Sequence, residues 1–246
     1  MRAYLQAESL KYRHTALKTL TIILPFASVF FAAWLTREYF IVDSYNWWYM
    51  GLCPGMLAIL CGITGGKEKR KKNLTIFSLP CDMGRIWDAK LLLTAVLSAA
   101  AMLCICVFTI AAGKVMGNIH PTIKAQIMAG VLIWLTTLWQ IPFCLLLTQK
   151  TGPFVMFLIH MGSYTVQAAI FSLKSWFAVF PGAVTSRLMC PVLGILPNGL
   201  PAVEGQMTYA PELVEMENLL VGIPATLLWF ALLWFLSRKW FERQVD

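Results

Sequence analysis

The chain has 246 residues, of which 59% are hydrophobic and only 13% charged, and its formal net charge is +8. A water-facing globular surface draws on about a quarter charged residues, so a soluble domain is excluded, and with it the nucleic-acid reading of the basic balance. Charges cluster instead at the edges of six uncharged runs, 19–36, 44–66, 91–113, 125–149, 151–173 and 218–237. Each is near the roughly 20 residues that carry a helix across ~30 Å of hydrocarbon. The expected fold is an all-α polytopic membrane protein, with residues 1–246 forming a single transmembrane domain of six helices.

Residues 1–18 place Leu5, Tyr12 and Ala16 on one helical face and Glu8, Lys11 and Arg13 on others. This is the pattern of a short interfacial helix, with a loose tail as the alternative. The first run, 19–36, follows a basic segment as a signal peptide would, but no A-x-A pattern precedes Arg37, so it is expected to remain as a span. The second run opens on Asn46-Trp47-Trp48-Tyr49, an aromatic belt at headgroup depth. It continues through Gly51-x-x-x-Gly55 and Gly62-x-x-x-Gly66, spacings that bring another helix close, or, around Pro54, kink this one.

The loop 67–90 starts with the basic knot Lys67-Glu68-Lys69-Arg70-Lys71-Lys72-Asn73. Placing both termini on the cytoplasmic side puts fifteen of the 20 Lys and Arg there, leaving Arg37, Lys114, Lys124, Lys174 and Arg187 outside. That asymmetry sets the orientation, and the knot serves topology and is compatible with anionic headgroups. Leu74, Phe77, Ile86 and Trp87 are large apolar residues in this loop. They need a cover, either the membrane surface or a partner protein.

Pro142 is expected to kink the fourth run, and Pro153 to start the fifth after a tight inner hairpin. The external segment 174–217 contains the Pro- and Gly-rich stretch 188–203, read as a loop or a re-entrant piece shielded by protein. It ends with Glu212, Glu215 and Glu217 behind Pro211, which either stabilise the start of the last span or form an acidic outer patch.

Chemistry is sparse. No Asp, Glu, Lys or Arg lies inside the six runs, which argues against an intramembrane enzyme and against an ion-coupled carrier. His160, near Gln140, Ser163 and Gln167, reads as an interhelical hydrogen-bonding residue. The seven cysteines are scattered without a C-x-x-C pair and read as small packing residues. Gly65-Gly66-Lys67 continues into Glu68 with Cys61 where a Walker A glycine belongs, so an ATPase, if there is one, is another chain. No catalytic or metal-ligating set is expected.

Three stretches carry a family likeness: Asn46-Trp47-Trp48-Tyr49; the basic knot with Ser78-Leu79-Pro80 and Ile86-Trp87-x-Ala89-Lys90; and Cys190-Pro191-Val192-Leu193-Gly194-Ile195-Leu196-Pro197-Asn198-Gly199. In these the chain resembles the membrane subunits of lantibiotic-immunity ABC transporters, the epidermin and mutacin E-subunit family within the ABC-2 permeases. The resemblance implies a type V exporter-like half-transporter in the cytoplasmic membrane of a Gram-positive bacterium. It also implies a second permease as heterodimer partner and two ABC ATPase subunits that hold ATP and Mg, with no cofactor bound directly. The substrate class is a cationic peptide antibiotic expelled from the membrane, giving self-protection; a lipid or small-molecule drug is the alternative. Matched to this family, the coupling role falls on Phe77, Ser78, Leu79, Pro80, Asp82, Arg85, Ile86 and Trp87. Candidate substrate contacts are Trp47, Trp48, Tyr49, Glu212, Glu215 and Glu217, the aromatic residues having membrane anchoring as their other role.

Overall fold

A computed structural model describes residues 1–13, 15–69, 73–74, 81–118 and 120–244. In chain order it contains α1 (Arg2–Lys11), α2 (Leu17–Thr36), a 3-10 turn (Arg37–Tyr39), α3 (Phe40–Trp47), a π-helical turn (Trp48–Leu52) and α4 (Cys53–Lys69). There follow α5 (Met83–Met116), α6 (Ile123–Thr137), α7 (Gln140–Thr151), α8 (Pro153–Ala169), α9 (Pro181–Leu193) and α10 (Asn218–Glu242).

Five stretches are long and apolar enough to cross a bilayer: Leu17–Lys67, Met83–Met116, Ile123–Thr151, Pro153–Leu173 and Asn218–Glu242. The first folds back on itself at Arg37, whose φ is 41°, so that α2 packs along α3 and Ser28 Oγ donates to the Ser44 carbonyl at 2.8 Å. The six uncharged runs therefore map onto five apolar segments, one of them a hairpin. Polarity is distributed for lipid. Trp34, Leu103, Leu220 and Leu228 are 68%, 66%, 77% and 70% exposed, whereas Thr64, Thr94, Thr109 and Thr136 are buried and donate to carbonyls one turn back. An outside this apolar is tolerable only against acyl chains.

Proline accounts for two of the breaks in the spanning segments. Pro142 has no N–H, and its ring crowds the carbonyl four residues back. That residue is Leu138, where α6 ends and α7 begins, and its carbonyl instead receives the Ile141 amide at 3.1 Å. Pro54 likewise follows directly on the π-helical turn, in which the Cys53 amide reaches back to the Trp48 carbonyl. Of the two glycine pairs, the inner one is the packing face. A Cβ on Gly62 would lie 3.2 Å from Pro153, one on Gly65 3.1 Å from Thr148, and one on Gly66 3.5 Å from Pro153, so the α7–α8 hairpin rests on bare backbone. Gly51 faces nothing within 4 Å.

The stretch 188–203, expected as a loop or a re-entrant piece shielded by protein, is only partly a loop. Its first six residues complete α9, a 13-residue helix buried at every position except Pro191. At about 20 Å this helix cannot span the bilayer, and it is enclosed by α6, α8 and α10. Gly222 admits it: a Cβ there would meet Val184 at 2.8 Å. Gly194, at φ 67°, ends the helix in the left-handed conformation that glycine takes without strain. The chain then returns through an antiparallel bridge between Ile195 and Pro201.

Arg187 holds the segment between α8 and α10 together. Only 4% exposed, it donates to the Ser172 carbonyl (3.2 Å), the Glu212 carbonyl (2.9 Å) and Asn218 Oδ1 (3.3 Å), and its guanidinium lies over the Phe177 ring. Burial pulls its pKa below the ordinary value, opposed by Cys190, Glu212 and Glu215.

Two outcomes follow for unfolding of the purified chain in detergent, followed by circular dichroism. Gly62→Leu and Gly66→Leu each cost about 1–3 kcal/mol by overpacking, while Gly51→Ala leaves the midpoint unchanged or raises it. Arg187→Met strands two buried carbonyls at about 1–3 kcal/mol each, and Arg187→Lys restores only part, because an ammonium lacks the planar fork.

Candidate functional site

The end of the bundle that carries both chain termini also gathers the start of α5, and this is where the side-chain chemistry concentrates. α5 has 34 residues, about 51 Å of helix, so its first two turns project beyond the uncharged run that begins at Leu91. Asp82 caps it: Oδ1 accepts from the Arg85 amide at 3.0 Å and Oδ2 pairs with Arg85 Nε at 3.2 Å, both side chains exposed. Tyr4 of α1 adds a hydroxyl that accepts from the Asp82 amide at 3.4 Å.

The next turn is gripped from two sides. The Trp87 indole is fully buried, donates to Ser237 Oγ at 3.0 Å and stacks on Phe241 at 4.9 Å. Beside it, Asp88 accepts from Trp234 Nε1 at 2.8 Å and pairs with Arg238 at 3.5 Å. Gly84 passes so close to Arg238 and Glu242 that any side chain there would collide with them. These contacts fasten α5 to the last turns of α10. On the opposite side, fully buried Lys90 donates to Glu8 Oε2 at 3.1 Å, and the other oxygen of Glu8 takes Lys11 Nζ at 2.6 Å. A buried carboxylate is stable only with partners of this kind.

α1 is tied in turn to α4: the Tyr12 hydroxyl donates to the Thr64 carbonyl at 2.7 Å, and Lys67 Nζ donates to the Lys11 carbonyl at 3.2 Å while lying over the Tyr12 ring. Gln149 of α7 donates to the Gly65 carbonyl and accepts from Asn73 Nδ2, both at 3.0 Å. The result is a collar of α1, α4, α5, α7 and α10 at the end of the bundle that carries the termini. Phe77, Ser78, Leu79 and Pro80 lie outside the described residues.

Several expected roles change with this geometry. Ile86 and Trp87 were expected to need an external cover, but α10 and the bundle already bury them, at 7% and 0% exposure. The face of α1 that turns inward carries Glu8, not an apolar stripe. The loop is also shorter than 67–90, since Lys67 and Lys69 end α4 and α5 starts at Met83. At the far end, Trp48 and Tyr49 are wholly buried and not displayed as a belt. Trp48 Nε1 donates to Met102 Sδ at 3.1 Å, and the Tyr49 carbonyl accepts from the Tyr164 hydroxyl at 2.8 Å. Trp47 is half-buried, and Glu212, Glu215 and Glu217 are exposed on the surface. The aromatic and acidic sets thus do not form one patch. The Asn218 side chain donates through Nδ2 to the backbone carbonyls of Glu212 and Glu215 at 2.8 and 2.9 Å, fixing the start of α10.

Two features escaped the sequence. Glu8, Asp88, Ser237 and Arg238 read as ordinary flanks of the spans, and only the position of Lys90 immediately before Leu91 hinted at burial. A cavity of about 780 Å³ opens at the far end, between the α2–α3 turn, the α5–α6 connection and the return after α9, with Glu38, Asp43 and His120 among its walls. Within the bundle, His160 and Gln140 do meet, 3.1 Å apart across α7 and α8.

No curated protein and no solved structure matches the chain. The family model described as an ABC-2 family transporter protein matches residues 14–242, which takes in the five apolar segments and the collar apart from α1 and Tyr12. The chain belongs to the ABC-2 family of transporter proteins and is a membrane-embedded permease component, with ATP hydrolysis left to a partner subunit.

Proposed function

We propose that the chain is the permease subunit of an ATP-driven exporter that expels lantibiotics or similar cationic peptide antibiotics from a bacterial cytoplasmic membrane. In this reading both termini and the collar face the cytoplasm, two ABC ATPase subunits holding ATP and Mg dock on the segment that includes Phe77 to Pro80, and a second permease completes the transporter. The supporting observation is the collar itself. A displacement delivered just before Asp82 is passed to α10 through Trp87 and Asp88 and to α1 through Lys90, and α5 and α10 both run to the opposite end of the bundle. Re-packing of such rigid elements between two states with unequal ligand affinity is the general basis of transport.

The division of labour along 77–87 follows from burial. Phe77→Asp is expected to abolish co-purification with the ATPase subunits while leaving membrane insertion intact; undiminished association removes the docking role. Trp87→Ala, by contrast, deletes a buried aromatic side chain at about 3–5 kcal/mol. It is expected to retain the ATPase but to lose peptide-stimulated ATP hydrolysis, whereas Trp87→Phe keeps most of both. If Trp87→Ala hydrolyses ATP in response to peptide like the parent chain, force does not pass through this contact.

A second reading, export of a lipid or small-molecule drug, draws support from the modest size of the far-end cavity. The two separate on one comparison in vesicles: which of a cationic peptide or a labelled lipid raises ATP hydrolysis by the assembled transporter. Reversing Glu212, Glu215 and Glu217 to Lys is expected to weaken protection against the peptide, and unchanged protection assigns them to the start of α10 alone.

A further inference from the structure

Neither the collar nor the residues singled out from sequence account for the far-end cavity. Its volume, about 780 Å³, lies inside the range of roughly 300–1,000 Å³ typical of small-molecule sites. Its walls come from three separate parts of the chain. Val42 and Tyr39 come from the α2–α3 hairpin, His120 and Pro121 from the α5–α6 connection, and Leu193, Ile195 and Leu200 from the end of α9 and its return.

Each wall is tied in place. Asn118 Nδ2 donates to the Glu38 carbonyl at 2.5 Å, its Oδ1 accepts from the His120 amide at 3.2 Å, and Gln126 Nε2 donates to the Pro121 carbonyl at 2.9 Å. The return is closed by Leu196 and Ala202 amides on the Leu200 and Gly194 carbonyls, at 2.8 and 2.9 Å. A concavity assembled from tethered loops is a pre-formed one, and pre-formed sites bind with a smaller ordering cost.

The lining is mostly hydrocarbon, with two carboxylates, Glu38 and Asp43, and one imidazole, His120, as its ionisable groups. In a chain whose net charge is +8, two carboxylates in one apolar cavity form a local reversal of the protein's field. Arg37 lines a separate, smaller hollow beside Glu38.

We propose that this cavity is the ligand site of the permease and receives the cationic, amphipathic end of its substrate, an amine or guanidinium held by Glu38 and Asp43 with an apolar side chain against Val42, Leu193 and Leu200. The proposal deepens the export reading and rests on it for the word substrate, but the binding it claims stands apart from transport. Volume limits the occupant to one end of a peptide or to a single small amphiphile. Either fits the same chemistry: a positive head paired by carboxylates at close quarters and a tail removed from water.

The test is equilibrium binding to the full chain in lipid nanodiscs, without ATPase subunits. The probe is a dansyl-labelled hexapeptide of alternating lysine and leucine, beside an uncharged analogue with glutamine for lysine. The cationic probe is expected to bind saturably, and the Glu38→Gln/Asp43→Asn double variant to weaken it at least tenfold while leaving the analogue unchanged. Glu204→Gln, a neutralisation on the exposed surface, is expected to have no effect. A second variant, Leu193→Trp, fills the cavity and is expected to reduce binding with both carboxylates in place. Equal binding by the parent chain and the double variant overturns the proposal, as does an equal loss with Glu204→Gln, which reduces the effect to general surface charge. Binding that behaves as expected, in a transporter that moves no peptide with ATP, overturns the export reading and leaves the cavity assignment standing.

Discussion

Lys90 sits where a lysine is hardest to keep: fully buried, at the point where α5 enters its apolar run. Its position is tolerable because Glu8 is buried opposite it, and Glu8 in turn depends on Lys11. Removing one partner of a buried ion pair typically costs about 3–5 kcal/mol. This constraint brings α1, which has little apolar surface of its own to bury, back onto the bundle and fixes the first turns of α5 against it. With α5 held on that side, Trp87 and Asp88 can close on α10 from the other. The collar is thus a chain of dependencies that begins with one buried ion pair.

The spans were legible because lipid imposes a simple condition, an uninterrupted absence of charge over about 20 residues, and the sequence obeys it six times. The break in the fourth span was legible too, since Pro142 acts on Leu138 through covalent geometry alone. The fate of the flanking charges was not. Arg187, Lys90 and Glu8 have the spacing of ordinary topogenic residues, and nothing local distinguishes a lysine that snorkels from one that is enclosed. Enclosure is decided by which helix returns to cover it, a long-range fact.

The aromatic run at Trp47 to Tyr49 failed for a related reason. Interfacial belts and buried cores use the same side chains, and the π-helical turn ahead of Pro54 rotates Trp48 and Tyr49 inward, toward Met102 and Tyr164. α9 was obscured by its prolines. Pro181 is harmless at a helix start and Pro191 lies in the last turns, but together with Pro197 and Pro201 they gave the segment the composition of a loop. The cavity with Glu38 and Asp43 was beyond sequence reading altogether, because its walls are contributed by parts of the chain about 70 to 165 residues apart.

The half-length helix α9 also links the middle of the bundle to its far end. It reaches Thr136 through a 2.9 Å hydroxyl pair with Thr185, well inside the stretch formed by α6 and α7, and its last residue, Leu193, with the return through Ile195 and Leu200, lines the far-end cavity. Because α9 is enclosed by α6, α8 and α10, any change in how those three helices pack moves one wall of that cavity with it.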